Sequence, residues 1–213
     1  MPEDSEKHRR EMYYKLAKIQ GYRARSAYKL FEIQKRFNVF KNAFYILDLG
    51  SAPGSWLQVS KNFAQENLNR NKDQKYHRSY YKIMGVDIKR VSPIENVKII
   101  KMDITTPLFQ EEIEKFFDDR LDLILSDASI NKSGNKFSDQ VRQINLCYKI
   151  FDITKKFLKF EGNCVIKAFS GLDIDKFNKK MKSEFLSTYV YKPKSSKKHS
   201  NEVYVIGLKK MNN

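Results

Sequence analysis

Cysteine is scarce in this sequence: Cys147 and Cys164 are the whole complement. Without a CxxC spacing or a neighbouring histidine they exclude a disulfide scaffold and a zinc ribbon, and they read as buried, reduced thiols. Histidine is nearly as rare. His8, His77 and His199 lie far apart in polar surroundings, so neither metal-ligand spacing nor a histidine-based triad can be drawn, and no metal site is expected. No apolar run approaches the roughly 20 residues that span a bilayer. The opening MPEDSEKHRR carries Glu3, Asp4 and Glu6 and lacks an apolar centre, unlike a secretory signal or a transit peptide. The expectation is an intracellular protein of a reducing compartment, away from membranes, with cytoplasm, nucleolus and organelle matrix left open. Acid is also in deficit: 25 Asp and Glu face 41 Lys and Arg, a net charge of +16. Such an excess suits a partner with a phosphate backbone.

The 213 residues suggest one α/β domain over 1–213, begun by a basic helical segment over 1–40. From Phe44 onward, short β-branched or aromatic runs alternate with stretches of helical spacing, the pattern of βαβ units and a mostly parallel sheet with helices on both faces. Seven strands are predicted: FYILDL (44–49), KIMGVDI (82–88), VKIIKMD (97–103), LDLILSD (121–127), NCVIKAF (163–169), STYVYK (187–192) and EVYVIGL (202–208). The spacing of Val141, Ile144, Tyr148 and Phe151 predicts a helix over 138–160. Only KPKSSKKHSN joins the last two strands, which predicts an antiparallel hairpin at one edge. The Asn/Lys/Tyr-rich stretch 67–82 reads as a surface loop insertion. Between Lys7 and Arg36, ten cations face two acids, with Tyr13, Tyr14, Tyr22 and Tyr28 interleaved. This is an amphipathic face that packs Ala27, Leu30, Ile33 and Phe37, and it also suits RNA, with cations for phosphates and rings for stacking.

The first strand runs into DLGSAPGSW (48–56), which ends in the chain's one tryptophan. A glycine turn there lets a ligand approach the backbone while the next helix offers free N–H groups. A dinucleotide fingerprint needs Gly-x-Gly-x-x-Gly, whereas Gly50 and Gly54 are separated by three residues including Pro53. A pyrophosphate cradle, and with it a nicotinamide-dependent dehydrogenase, is disfavoured. The loop residues Gly50, Gly54, Ser55 and Trp56 suit a ligand with an amino-acid head and an adenosine but no phosphate, S-adenosylmethionine. Three acids end the following strands where such a ligand lies. Asp87 is placed for ribose hydroxyls, Asp103 for the adenine amino group and Asp127 nearest the reacting sulfonium. Lys167 interrupts the apolar run CVIKAF, where a charge is costly unless paired. It reads either as a lysine reaching solvent at a strand end or as one held among acids to handle a proton.

Taken together, GYRARSAYKL (21–30), DLGSAPGSW, LSDAS, VIKAF and PKSSKKHSNEVY (193–204) closely resemble the FtsJ-type RNA ribose 2'-O-methyltransferases, also called the RrmJ family, over nearly the whole chain. The resemblance implies a Rossmann-like class I methyltransferase fold and S-adenosylmethionine as cofactor. It places the family's Lys-Asp-Lys-Glu catalytic set on Lys29, Asp127, Lys167 and Glu202. It places cofactor contacts on Gly54, Trp56, Asp87, Asp103 and Asp127. Ile130 departs from the family, which usually carries proline at that point after Ser-Asp, and the departure bears on the loop beside the acceptor ribose. Flanking cations Arg23, Arg25, Lys192, Lys194, Lys197 and Lys198 are expected to meet RNA, with Lys7, Arg9 and Arg10. The implied substrate is large-subunit ribosomal RNA, met by a monomer. A tRNA anticodon loop is the alternative substrate, and a non-catalytic RNA-binding module is the remote one.

Overall fold

The computed structural model describes residues 2–70, 78–171 and 173–212, and for residues 2–10 the backbone alone. Along the chain run α1 (Pro2–Ile19), α2 (Ala27–Phe37), β1 (Tyr45–Leu49), α3 (Ser55–Arg70), β2 (Lys82–Asp87), β3 (Lys98–Lys101) and α4 (Pro107–Phe116). They are followed by β4 (Leu121–Ser126), α5 (Lys136–Phe157), β5 (Leu158–Phe169), α6 (Ile174–Lys182), β6 (Phe185–Tyr191) and β7 (Glu202–Lys210). The strands form one sheet in the order β3-β2-β1-β4-β5-β7-β6. Neighbours from β3 to β5 pair in parallel, and β7 runs antiparallel to both β5 and β6. The expected terminal hairpin is therefore present. Its second strand lies inside the sheet and its first strand, β6, forms the edge.

The central strands are apolar throughout because both their faces are covered. All five residues of β1 and all six of β4 are buried. Alternation sends Tyr45, Leu47 and Leu49 into one core with α5 and α6, and Ile46 into a second core with α2 and α3. On α2, Ala27, Leu30 and Ile33 are fully buried, while Phe37 is half-buried against Tyr189 and Tyr191. Among the described residues no helix is long and apolar enough to cross a membrane.

Three local expectations need correction. The helix predicted over 138–160 stops at Phe157, and β5 takes up Leu158 to Phe169. Leu158 and Phe160 prolong the helical spacing on paper, but Glu161 has a left-handed φ of 59° and the β4 pairing shifts register there. The buried face of α5 also turns away from the expected stripe. It runs through Gln143, Ile144, Cys147, Ile150, Phe151 and Thr154, leaving Val141 and Tyr148 half-buried. Of the stretch read as a loop, 67–70 completes α3, 71–77 lies outside the described residues, and 78–81 is tied down. There Arg78 lies 3.9 Å over the Tyr45 ring and pairs with Asp119, and the Tyr80 hydroxyl donates to Asp118.

Candidate active site

Parallel strands end together, so the loops that follow them converge beyond one edge of the sheet. The turn after β1 is fixed by its glycines. Gly50 has φ 76°, and a Cβ there would lie 2.5 Å from the Ala128 Cα, so only glycine lets β1's loop pass the loop after β4. Gly54 has φ 106°. The Gly50 and Ser51 N–H groups donate to the Val86 carbonyl, holding the turn on the end of β2. Ser55 and Trp56 open α3 and are both buried. The Ser55 hydroxyl shares a hydrogen bond with Ser26, and the Trp56 indole N–H donates to the Ser26 carbonyl. Their side chains thus hold the N-terminal segment against the loop, while the first-turn N–H groups of α3 have no intrahelical partner.

Asp87 follows the same logic. Its Oδ2 accepts from the Ala52 N–H and its Oδ1 from the Lys89 N–H, each at under 3 Å (2.9 and 2.8 Å), leaving one lone pair per oxygen for a ligand. Asp103 is exposed beyond β3, and its Oδ1 takes both the N–H and the hydroxyl of Thr105 in a local turn. Asp48, in β1 beneath the glycine turn, is fully buried with neither carboxyl oxygen hydrogen-bonded among the described residues. Burial, with the charges of Asp127 and Asp87 nearby, raises its pKa well above the usual carboxylate range. Sequence reading passed over Asp48 as a strand residue, although an acid inside a fully buried run is a signal.

The four residues of the expected catalytic set meet. Lys167, on β5, donates to the Asp127 carbonyl at 3.0 Å and lies 3.1 Å from its Oδ1 and 3.5 Å from Glu202 Oε2. Lys29, from α2, reaches Glu202 Oε1 at 2.5 Å. Burial works against the charge on Lys167, but Asp127 and Glu202 outweigh it and its pKa is raised. Burial likewise opposes the charge on Glu202, yet Lys29 and Lys167 lower its pKa to about 2. Lys167 is thus held as an ammonium and Glu202 as a carboxylate, with Asp127 and Lys29 as their partners. Tyr204, absent from the sequence-based set, belongs to this network. Its hydroxyl donates to Asp127 Oδ1 at 2.7 Å, and its ring lies 5.7 Å from that of Trp56. Two residues after Glu202 on one strand, it shares that residue's face. Ser196 adds a hydroxyl to Glu202 Oε1 at 3.0 Å.

Ile130 has a structural answer. Its N–H, which a proline would lack, donates to Gln143 Oε1 at 3.1 Å, and the Gln143 amide donates to the carbonyls of Ala128 and Lys167. This buried glutamine of α5 joins the loop after β4 to the backbone of Lys167.

Of the cations assigned to RNA, Lys7, Arg9 and Arg10 have side chains outside the described residues. Arg23 turns inward, donating to the carbonyls of Pro53, Ser92 and Pro93. Lys192 folds onto the carbonyls of Lys198 and Ser200. Arg25 donates to the Ser195 carbonyl, while Lys194, Lys197 and Lys198 stand exposed on the loop before β7. Glu32 pins that loop, accepting from the N–H groups of Lys194 and Ser195. A groove of about 750 Å³ lies at the opposite, amino ends of the strands, lined by Lys41, Arg78, Asp122 and Lys159. There Asp122 accepts from the Phe44 and Tyr45 N–H groups and pairs with Lys159, which accounts for its charges as bracing of the strand starts. We place the site at the carboxyl ends, where the glycine turn and the four-charge network converge.

The model of the FtsJ-like methyltransferase family matches residues 22–210. The chain belongs to this family. Among its relatives, the ribosomal RNA large subunit methyltransferase E of Methanococcoides burtonii is 39% identical over 202 residues, 94% of this chain and 70% of that protein. The enzyme of the same name from Archaeoglobus fulgidus is 37% identical over 201 residues, 94% of this chain and 96% of its own. In shape, the chain matches the crystal structure of a ribosomal RNA methyltransferase from Plasmodium falciparum with a TM-score of 0.73 and 30% identity. That match covers 90% of this chain and all of the other. The Rossmann-like methyltransferase fold expected from the sequence is thus shared with that structure.

Proposed function

We propose that this protein transfers the methyl group of S-adenosylmethionine to a ribose 2'-hydroxyl of RNA, with large-subunit ribosomal RNA as substrate. The observation that carries the reading is Lys167: a lysine in a buried strand, charged, and framed by Asp127, Glu202 and Lys29. Ribosomal RNA is favoured over tRNA because relatives matching over nine-tenths of the chain bear that substrate in their names.

The residues fit the cofactor. The buried Asp48 carboxyl, without a hydrogen-bond partner among the described residues, lies beneath the glycine turn with Asp87 and Asp127 nearby, and a positively charged ligand would answer these acids. S-adenosylmethionine brings an ammonium and a sulfonium, and it supplies an electrophilic methyl whose departure leaves a neutral thioether. The glycine turn and the α3 N-terminus would hold its amino-acid end, Asp87 its ribose and Asp103 its adenine edge. The raised pKa of Lys167 keeps it an ammonium, so it orients the 2'-hydroxyl by donating to its oxygen and aiming a free lone pair at the methyl. As the carbon–oxygen bond forms, the hydroxyl proton has the carboxylates of Asp127 and Glu202 as receivers. Tyr204 and Lys29 keep those carboxylates in place.

The test is single-turnover transfer of labelled methyl to unmodified large-subunit RNA, followed by alkaline hydrolysis, which a 2'-O-methyl group blocks at its own phosphodiester. Label should appear in alkali-resistant dinucleotides. Lys167→Ala should lower the rate by about 10² to 10⁴, the usual worth of such a group. It should keep the rise in melting temperature that S-adenosylhomocysteine gives a protein that binds it. Label released with single nucleotides would overturn the ribose assignment, and preferential labelling of tRNA would overturn the substrate.

A further inference from the structure

We infer that Arg23 is a positioning residue of the cofactor loop rather than a phosphate contact, and that through it residues 21–26 link RNA binding to cofactor binding. The inference deepens the proposed function and rests on it for the identity of the two ligands. One guanidinium joins three carbonyls from two distant loops: Pro53 at 3.2 Å, Ser92 at 2.7 Å and Pro93 at 2.8 Å. Pro53 lies in the glycine turn, and Ser92 and Pro93 in the connection that leaves β2 just past Asp87. The clamp therefore spans the loop that would meet the amino-acid end of the cofactor and the segment beside its ribose carboxylate.

Gly54 completes the fit. A Cβ on it would lie 2.7 Å from Arg23 Nη1, so the turn is shaped around the guanidinium. The backbone of the same segment is bound independently. Gln58 of α3 accepts from the Arg23 N–H and donates to the Gly21 carbonyl, both at 2.9 Å. Beyond it, Ser26 shares hydrogen bonds with Ser55 and Trp56. A planar fork with five donors can serve carbonyls on two loops at once, whereas a lysine ammonium is a single point that cannot bridge them in the same way. The segment then leads directly into α2, which carries Lys29, and follows α1, whose cations are the expected RNA contacts. RNA that fixes α1 and α2 fixes the clamp, and a coupling of this kind works in both directions.

Arg23→Lys separates the two roles because it keeps the charge and loses the fork. S-adenosylhomocysteine should bind the variant about tenfold more weakly, the effect of losing one or two charge-assisted hydrogen bonds. RNA affinity measured without cofactor should stay within about twofold, since a phosphate contact needs only the charge. In wild type RNA should tighten S-adenosylhomocysteine binding, and the variant should lose that gain. In turnover the loss should fall on the KM for S-adenosylmethionine more than on kcat, a split that general destabilisation does not produce. Gln58→Ala, which frees the segment without touching the guanidinium, should act in the same direction if Arg23→Lys fails to fold. Unchanged S-adenosylhomocysteine binding in both variants overturns the inference, as does a variant that loses RNA affinity alone. Absence of methyl transfer by wild type would sink the proposed function and leave the binding result standing.

Discussion

At the scale of single residues, the charge state of Lys167 decides how the site works. Its pKa is raised and that of Glu202 is lowered to about 2, so these two groups keep their charges between those limits. Glu202 contributes stability that is fully present above the unfolded value of 4.5 and is lost as the pH falls toward about 2. Lys167 contributes stability present below 10.5 and lost as the pH rises through its raised folded value. An orienting ammonium therefore predicts a single-turnover rate independent of pH between about pH 6 and pH 9. A rate rising tenfold per pH unit would mean that Lys167 must first lose its proton, and would replace the orienting role with that of a base. Lys167→Ala should also destabilise, because it strands Asp127 and Glu202 with one cation between them. Its unfolding free energy should fall by about 1 to 3 kcal/mol, below the full value for a wholly buried pair because both carboxylates retain some exposure.

At the scale of elements, the glycine turn and the strand ends carry the argument. Gly50→Ala would place a methyl in a left-handed backbone and against the Ala128 backbone at once. Left-handed strain alone costs about 1 to 2 kcal/mol, and the contact is with main chain that cannot step aside. Chemical denaturation should show a loss exceeding about 2 kcal/mol together with a lost response to S-adenosylhomocysteine. A variant of full stability and full response would mean that the turn is not the cofactor cradle. These elements also show where sequence is a sufficient guide. Seven strands are legible because alternation and apolar runs report burial on one or two faces, and each matches an observed strand to within a few residues apart from the early start of β5. That start was hidden because Leu158 and Phe160 continue the helical period of α5, and only a left-handed residue breaks it. The meeting of Lys29, Asp127, Lys167 and Glu202 was legible through their motif contexts. Tyr204 was not, because a tyrosine in EVYVIGL reads as core, and the core is indeed where it lies. Arg23, Glu32 and Gln143 were illegible for a different reason. Their partners are backbone carbonyls and N–H groups brought close by the fold, and the pattern of side chains in a sequence carries no record of those.

At the scale of the whole molecule, the net charge of +16 has to be read by where it falls. The network of Lys29 and Lys167 against Asp127 and Glu202 is neutral in formal charge, so it adds no long-range attraction for RNA. The strand ends beside the glycine turn carry Asp87 and Asp103, which suit a cationic ligand and repel phosphate. Attraction must therefore come from the rim, and the loop before β7 is the described part best placed for it, since Glu32 fixes its backbone and leaves its lysines outward. Lys194 and Lys197 have no ion-pair partner among the described residues. Each phosphate neutralised on a single strand contributes about 0.7 to the slope of log affinity against log salt. Changing both lysines to glutamine should lower the magnitude of that slope by about 1.4 and weaken RNA binding at low salt more than at high salt. The melting-temperature response to S-adenosylhomocysteine should be unchanged, because neither lysine belongs to the acidic half of the cleft. The measurement is fluorescence anisotropy of an unpaired RNA fragment across a salt series. An unaltered slope would move the RNA path off this loop, leaving the cations of α1 and α2 to carry it alone.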